Sequence, residues 1–169
     1  EATLETDVKG IYAIGDVNGK YPLAHVASAE GIVAAENIMK IESKLNYNLV
    51  PSIVYSFPEL ASVGLTEKEA IEIGMDYKVS KFPLSANGMA IAEGETTGFI
   101  KIVSDNQYGE IVGVHILASQ ATDMISKAVA LMQIEATVYD LAKTIHPHPT
   151  LSEALVEAAY SAIDRPIHM

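Results

Sequence analysis

The sequence predicts an α+β fold: an antiparallel sheet with flanking helices. Three observations carry this. Residues 99–103 (Phe-Ile-Lys-Ile-Val) alternate, residues 110–117 are the most apolar run, and Asn106-Gln107-Tyr108-Gly109 between them has turn composition, which together read as a hairpin. Downstream, Ala121, Ile125, Ala128 and Met132 fall on one helical face, with Met124 and Leu131 beside them. The order also matters, because here strands precede helices instead of alternating with them.

Taken from the start, Gly10-Ile11-Tyr12-Ala13-Ile14-Gly15-Asp16 reads as a short buried strand ending in an acidic turn. Residues 22–39 read as a helix making apolar contacts through Leu23, Val26, Ala27, Ile32, Ala35 and Met39. Its Ala and Gly content suits close packing. The polar, Asn-rich residues 43–49 read as a linker, dividing a first segment (1–48) from a second (49–169).

In the second segment, residues 52–57 have strand composition and stop at Pro58. Thr66-Glu67-Lys68-Glu69 is a capping box for a short helix ending at Gly74. Residues 76–84 alternate like a strand. After the hairpin and the long helix, residues 137–144 form a short helix. Residues 150–163 form the last, burying Leu151, Leu155, Ala158, Ala159 and Ala162. Tyr55, Met89 and the Met124–Met132 stripe read as core or interface packing, and His115 as a satisfied structural histidine.

Bulk properties exclude several function classes. The chain has 169 residues, 49% hydrophobic, with a net charge of −11. No basic run offers itself to nucleic acid. No apolar run approaches the roughly 18 residues of a membrane span. The expected setting is soluble and cytoplasmic. Without cysteine there is no disulfide, thiolate nucleophile or Cys zinc site. The chain opens Glu-Ala-Thr-Leu rather than with Met, which reads as a piece of a longer polypeptide.

The most informative stretch is His146-Pro147-His148-Pro149-Thr150-Leu151-Ser152-Glu153-Ala154. A residue before proline is pushed out of the helical region, so both histidines belong on a stiffened, extended loop. An imidazole held there, with a carboxylate on the next helical turn, is how a general acid/base is oriented. Thr150-Leu-Ser-Glu153 is also a capping box, so Glu153 has a purely structural reading, and its two oxygens permit both roles. Alternate residues of an extended segment point to opposite sides, which argues against His146 and His148 sharing a metal.

The same stretch resembles the C-terminal signature of the dihydrolipoamide dehydrogenases, members of the pyridine nucleotide-disulfide oxidoreductase family. Residues 10–16 resemble that family's second flavin motif, and Pro22-Leu-Ala-His-Val-Ala-Ser-Ala-Glu-Gly31 the helix after it. Residues 50–59 resemble the first strand of its interface domain. Leu-Ser-Glu-Ala after His-Pro-Thr favours lipoamide over glutathione reductases. The resemblance implies an incomplete piece of an FAD-binding domain (1–48), then a dimerisation domain (49–169).

The implied reaction is oxidation of dihydrolipoamide through a redox disulfide and FAD to NAD+. His148 would be the base, Glu153 its support, and Asp16 a contact of the FAD ribityl chain. Leu23, Ala24 and His25 would present backbone N–H groups and a positive helix end to the flavin. The implied partners are a second copy, forming a homodimer, and a lipoyl domain of a 2-oxo-acid dehydrogenase complex. Neither nucleic acid nor membrane is implied. The family's glycine motifs and Cys-x4-Cys pair are absent from these residues, so the chain alone is expected to lack activity and to hold FAD weakly or not at all. Phe57 stands where many relatives carry His or Thr, with an expected effect on local packing only. A glutathione reductase-like parent and a non-catalytic dimerisation module are the alternatives.

Overall fold

The computed structural model describes residues 3–168. Glu1, Ala2 and Met169, which end the two expected segments, lie outside it. The chain forms two compact units, Glu1–Val50 and Pro51–Met169.

The first unit is built on helix α1 (Ala24–Ile38). Its inner stripe is Val26, Glu30, Val33 and Ala34, spaced i, i+4, i+7, i+8. The expected stripe is thus wrong in part. Ile32 and Met39 are 63% and 73% exposed and Ala35 is exposed too, because the buried line runs through Glu30 instead. The expected strand at residues 10–16 is also corrected. Only an isolated bridge, Glu5 to Tyr12, forms there, and Gly15–Asn18 is a 3-10 turn. Strand composition needs ladder partners to become a strand, and this unit supplies one bridge among the described residues. Residues 43–49 are likewise more than a linker. Ser43 carbonyl accepts from Asn37, Asn46 caps the 3-10 turn Tyr47–Leu49, and Tyr47 bonds Glu30.

The second unit is a five-stranded sheet in the order β1-β2-β5-β4-β3, antiparallel throughout. The strands are β1 (Ser52–Val54), β2 (Glu59–Gly64), β3 (Tyr77–Pro83), β4 (Phe99–Asp105) and β5 (Ile111–Ala118). Strand β2 was not expected, and neither was helix α3 (Gly88–Glu93). The Thr66–Glu69 capping box opens α2 (Glu67–Glu72) as expected. Period-2 geometry sends alternate residues to opposite faces. Ile100, Ile102, Val114 and Ile116 are buried on one face. On the other, Lys101 pairs with Glu67 at 2.7 Å and His115 Nε2 lies 3.0 Å from Leu65 carbonyl, a satisfied histidine. Helix α4 (Ala121–Gln133) packs on β2 and β5, and α6 (Glu153–Ala162) on β3 and β4, with α5 (Val138–Lys143) against α6.

Tyr55 and Phe57 are 81% and 78% exposed. Neither is core within this chain. Met89 is half-buried. No helix among the described residues is long and apolar enough to cross a membrane.

Candidate active site

The loop between α5 and α6 carries the candidate base. Proline at 147 and 149 denies it helical geometry, and α6 begins only at Glu153, three residues later than the sequence suggests. The capping box at Thr150 is half formed. Thr150 N–H donates to Glu153 Oε2 at 2.8 Å, while Thr150 Oγ1 turns back to Pro147 carbonyl at 2.9 Å. Burial of Leu151, Leu155, Ala158, Ala159 and Ala162 anchors α6 below the loop.

His148 Nδ1 lies 2.9 Å from Glu153 Oε1. A carboxylate only accepts, so Nδ1 donates, and in the neutral ring Nε2 then holds the lone pair. The ring is 78% exposed and the Glu153 side chain 29%. Burial tends to raise the Glu153 pKa, but Thr150 N–H, the His148 bond and the charges of His148 and His146 outweigh it and hold the carboxyl below its ordinary range. The pair is therefore a charged acceptor orienting an imidazole whose free nitrogen faces outward. A cavity of about 450 Å³ in this unit is lined by Lys78, Asp105, Tyr139, Tyr160, Arg165 and neighbours, and includes neither dyad residue.

His146 takes a different partner, Thr144 carbonyl, through Nδ1 at 2.9 Å. Burial depresses its pKa despite that bond. The two rings thus have different Nδ1 partners, and no group of three or more His, Cys, Asp or Glu among the described residues could hold a metal.

In the first unit, Asp16 sits in the Gly15–Asn18 turn and is exposed. It does not cap that turn, whose N-cap is Ile14. Leu23 is the N-cap of α1, in extended conformation, and Ala24 and His25 form its first turn. The first unit thus carries an exposed carboxylate in a turn and, separately, the electropositive start of α1.

Sequence reasoning overlooked three residues around these sites. Glu30 is fully buried and binds the turn that holds Asp16. Tyr47 donates to it at 2.6 Å. Glu59 caps α4 through Thr122. The signal for Glu30 was available, since it stands on the i, i+4, i+7 line of Val26 and Val33.

An antiparallel sheet with helices packed upon it, bearing an exposed His–Glu pair, defines an α+β domain. Comparison with known proteins makes the family specific: residues 50–159 match the dimerisation domain of the pyridine nucleotide-disulphide oxidoreductases, and the chain belongs to that family. It is 44% identical over 169 residues to a dihydrolipoyl dehydrogenase of Chlamydia muridarum, covering all of this chain and 36% of that one. It is 50% identical over 165 residues to one of Bacillus subtilis, covering 97% and 35%. Among solved structures, LpdA from Mycobacterium tuberculosis superposes with TM-score 0.91 at 30% identity, over 95% of this chain and 35% of that one. The HOCl-induced flavoprotein disulfide reductase RclA of Escherichia coli gives 0.84 at 27%, over 94% and 37%. The chain thus spans about a third of the length of the relatives it matches.

Proposed function

We propose that this chain is the C-terminal part of a dihydrolipoyl dehydrogenase and supplies its dimer interface and acid/base pair. The observation that carries the reading is the 2.9 Å contact between His148 Nδ1 and Glu153 Oε1. Thiol–disulfide exchange needs a thiolate, and an ordinary thiol with pKa of about 8.5 is mostly protonated near neutrality. His148 Nε2 takes that proton from dihydrolipoamide, and Glu153 stabilises the imidazolium formed. The oxidised product is lipoamide.

Asp16 would accept a hydrogen bond from a ribityl hydroxyl of FAD, and the Leu23–His25 end of α1 would offer backbone N–H groups to the flavin. FAD, when bound, supplies the two-electron relay from the enzyme dithiol to NAD+. The exposed dyad has one wall, and a second copy supplies the other. The exposure of Tyr55, Phe57 and Ile145, the last at 96%, supports an apolar homodimer contact. The substrate arrives on the lipoyl domain of a 2-oxo-acid dehydrogenase complex in the cytoplasm.

The test is NAD+ reduction by dihydrolipoamide with the full-length protein that carries this chain, run beside glutathione disulfide reduction. Activity with dihydrolipoamide that disappears in His148→Gln supports the reading. Activity only with glutathione disulfide, or none with either, overturns it. The 169-residue chain alone should show neither activity nor a yellow flavin spectrum.

A further inference from the structure

We propose that Glu30 is a positioning residue for flavin binding, holding the Gly15–Asn18 turn so that Asp16 faces the cofactor; this rests on the flavin reading above. The side chain comes from the inner stripe of α1 and is 0% exposed. An ionised carboxylate persists in such a place only with strong donors. It has three. Gly15 N–H lies 2.6 Å from Oε2, Asn18 Nδ2 2.8 Å from Oε1, and Tyr47 hydroxyl 2.6 Å from Oε1. Burial opposes ionisation, but these donors and Lys20 outweigh it and keep the carboxyl below its ordinary pKa.

Two of the three donors flank Asp16 in the chain. One carboxylate therefore ties the turn on both sides of the residue that matters. The turn also lies hard against α1: Gly15 has φ +67, and a Cβ there would come 3.2 Å from Ala27 Cβ. The third donor is held in place as well. Tyr47 stacks on Tyr21 with ring centroids 5.5 Å apart, and Lys20 Nζ sits 4.5 Å from the Tyr47 ring centroid. By contrast the Asp16 side chain is exposed and takes no hydrogen bond among the described residues. Its direction is set by the backbone of the turn, and the turn is set by Glu30.

The experiment uses the full-length protein with Glu30→Gln, Asp16→Ala and the double variant. FAD dissociation constants are measured by fluorescence quenching, with visible circular dichroism of bound flavin and melting of the apoprotein. Gln keeps the volume but loses the charge and one acceptor. Glu30→Gln should weaken FAD by about tenfold and alter the flavin dichroism, while in the Asp16→Ala background it should change the constant less than about twofold. Asn18→Ala removes one tie without touching the core and should weaken FAD in the same direction. It keeps the proposal testable if Glu30→Gln does not fold. Unchanged FAD affinity in Glu30→Gln, or in Asn18→Ala, overturns the inference, as does an equal loss in both backgrounds. A wild-type protein that takes up no FAD overturns the flavin reading itself, a distinguishable result.

Discussion

Glu153 lies 2.9 Å through Oε1 from His148 Nδ1 while its other oxygen accepts the N–H of Thr150 at 2.8 Å. One carboxylate thus ties the turn that leads into α6 and holds the loop imidazole through Nδ1. Helix and loop cannot move apart without breaking one bond or the other. The arrangement anchors the exposed imidazole to a packed helix rather than to the loop alone.

Removing either member should separate the two roles. In the full-length enzyme, His148→Gln should lower kcat/KM for dihydrolipoamide by about 10²- to 10⁴-fold. Glu153→Gln should cost less, because its amide oxygen still accepts one hydrogen bond while the charge opposite the imidazolium is gone. NADH formation followed across pH measures both. A Glu153→Ala variant should also lose about 1 kcal/mol of stability in urea, which His148→Gln should not.

Stability should fall on acidification in two stages. Burial depresses the pKa values of His115 and His146 below the ordinary 6.5. The folded state therefore binds these protons more weakly than the unfolded chain. Their contribution is complete above pH 6.5 and is lost as pH falls through the folded values. Glu153 and Asp105 sit below the ordinary 4.5 and 3.8 because hydrogen bonds outweigh burial. Their contribution is complete above those values and is lost at lower pH. Urea midpoints measured across pH should show both stages, and His115→Gln should flatten the upper one.

Strand β2 helps to start helix α4. Glu59 Oε2 accepts Thr122 N–H at 2.9 Å and Thr122 Oγ1–H at 2.7 Å, while the N-cap residue Gln120 makes no side-chain cap of its own. Glu59→Ala should therefore cost about 1–2 kcal/mol, the loss of a cap. Glu59→Gln should recover much of it, since an amide oxygen still accepts. Urea denaturation of the pair of variants decides this.

That cap was invisible in the sequence for the same reason β2 was. Glu-Leu-Ala-Ser-Val-Gly follows a proline, contains small residues, and buries only Ala61 and Val63. Its strand character comes from pairing with β5, which is a tertiary fact. The hairpin β4–β5 and the stripe of α4 were readable because alternation and helical period are local. At residues 10–16 local composition misled, since the apolar run finds one bridge instead of a ladder. In the candidate site, a loop imidazole near the Glu153 carboxylate was readable from spacing and proline, but the choice of His148 over His146 came from the family resemblance. Helical period alone puts Glu30 on the inner line, but its role was not readable, because a carboxylate within an Ala-rich helix looks like its solvent face until its three donors are seen.

Tyr47 reports the Glu30 cluster in solution. Burial, the hydrogen bond to Glu30 and that residue's charge raise its pKa from 10.0 to about 12. The phenol form is therefore favoured by folding, a contribution present below pH 10 and lost as pH rises through the folded value. In an ultraviolet titration, one of the eight tyrosines should ionise near 12. In Glu30→Gln it should move back towards 10.

A close backbone approach in the sheet predicts a costly small substitution. Gly113 of β5 faces Gly64 of β2. A Cβ at Gly113 would fall 2.0 Å from Leu65 carbonyl oxygen. That carbonyl is not free to yield, for it bonds His115 Nε2 at 3.0 Å, and Leu65 N–H donates to Val112 carbonyl at 2.8 Å. Gly113→Ala must displace Leu65 and strain both bonds, at a cost of about 3 kcal/mol. Gly88 opens α3, and a Cβ added there would meet nothing within 4 Å, so Gly88→Ala should be neutral or stabilising by up to about 1 kcal/mol. Paired urea curves should show a large loss at position 113 and a shift near zero or of opposite sign at position 88. Equal effects at the two glycines would mean that helix and strand propensity, not the Leu65 contact, governs position 113.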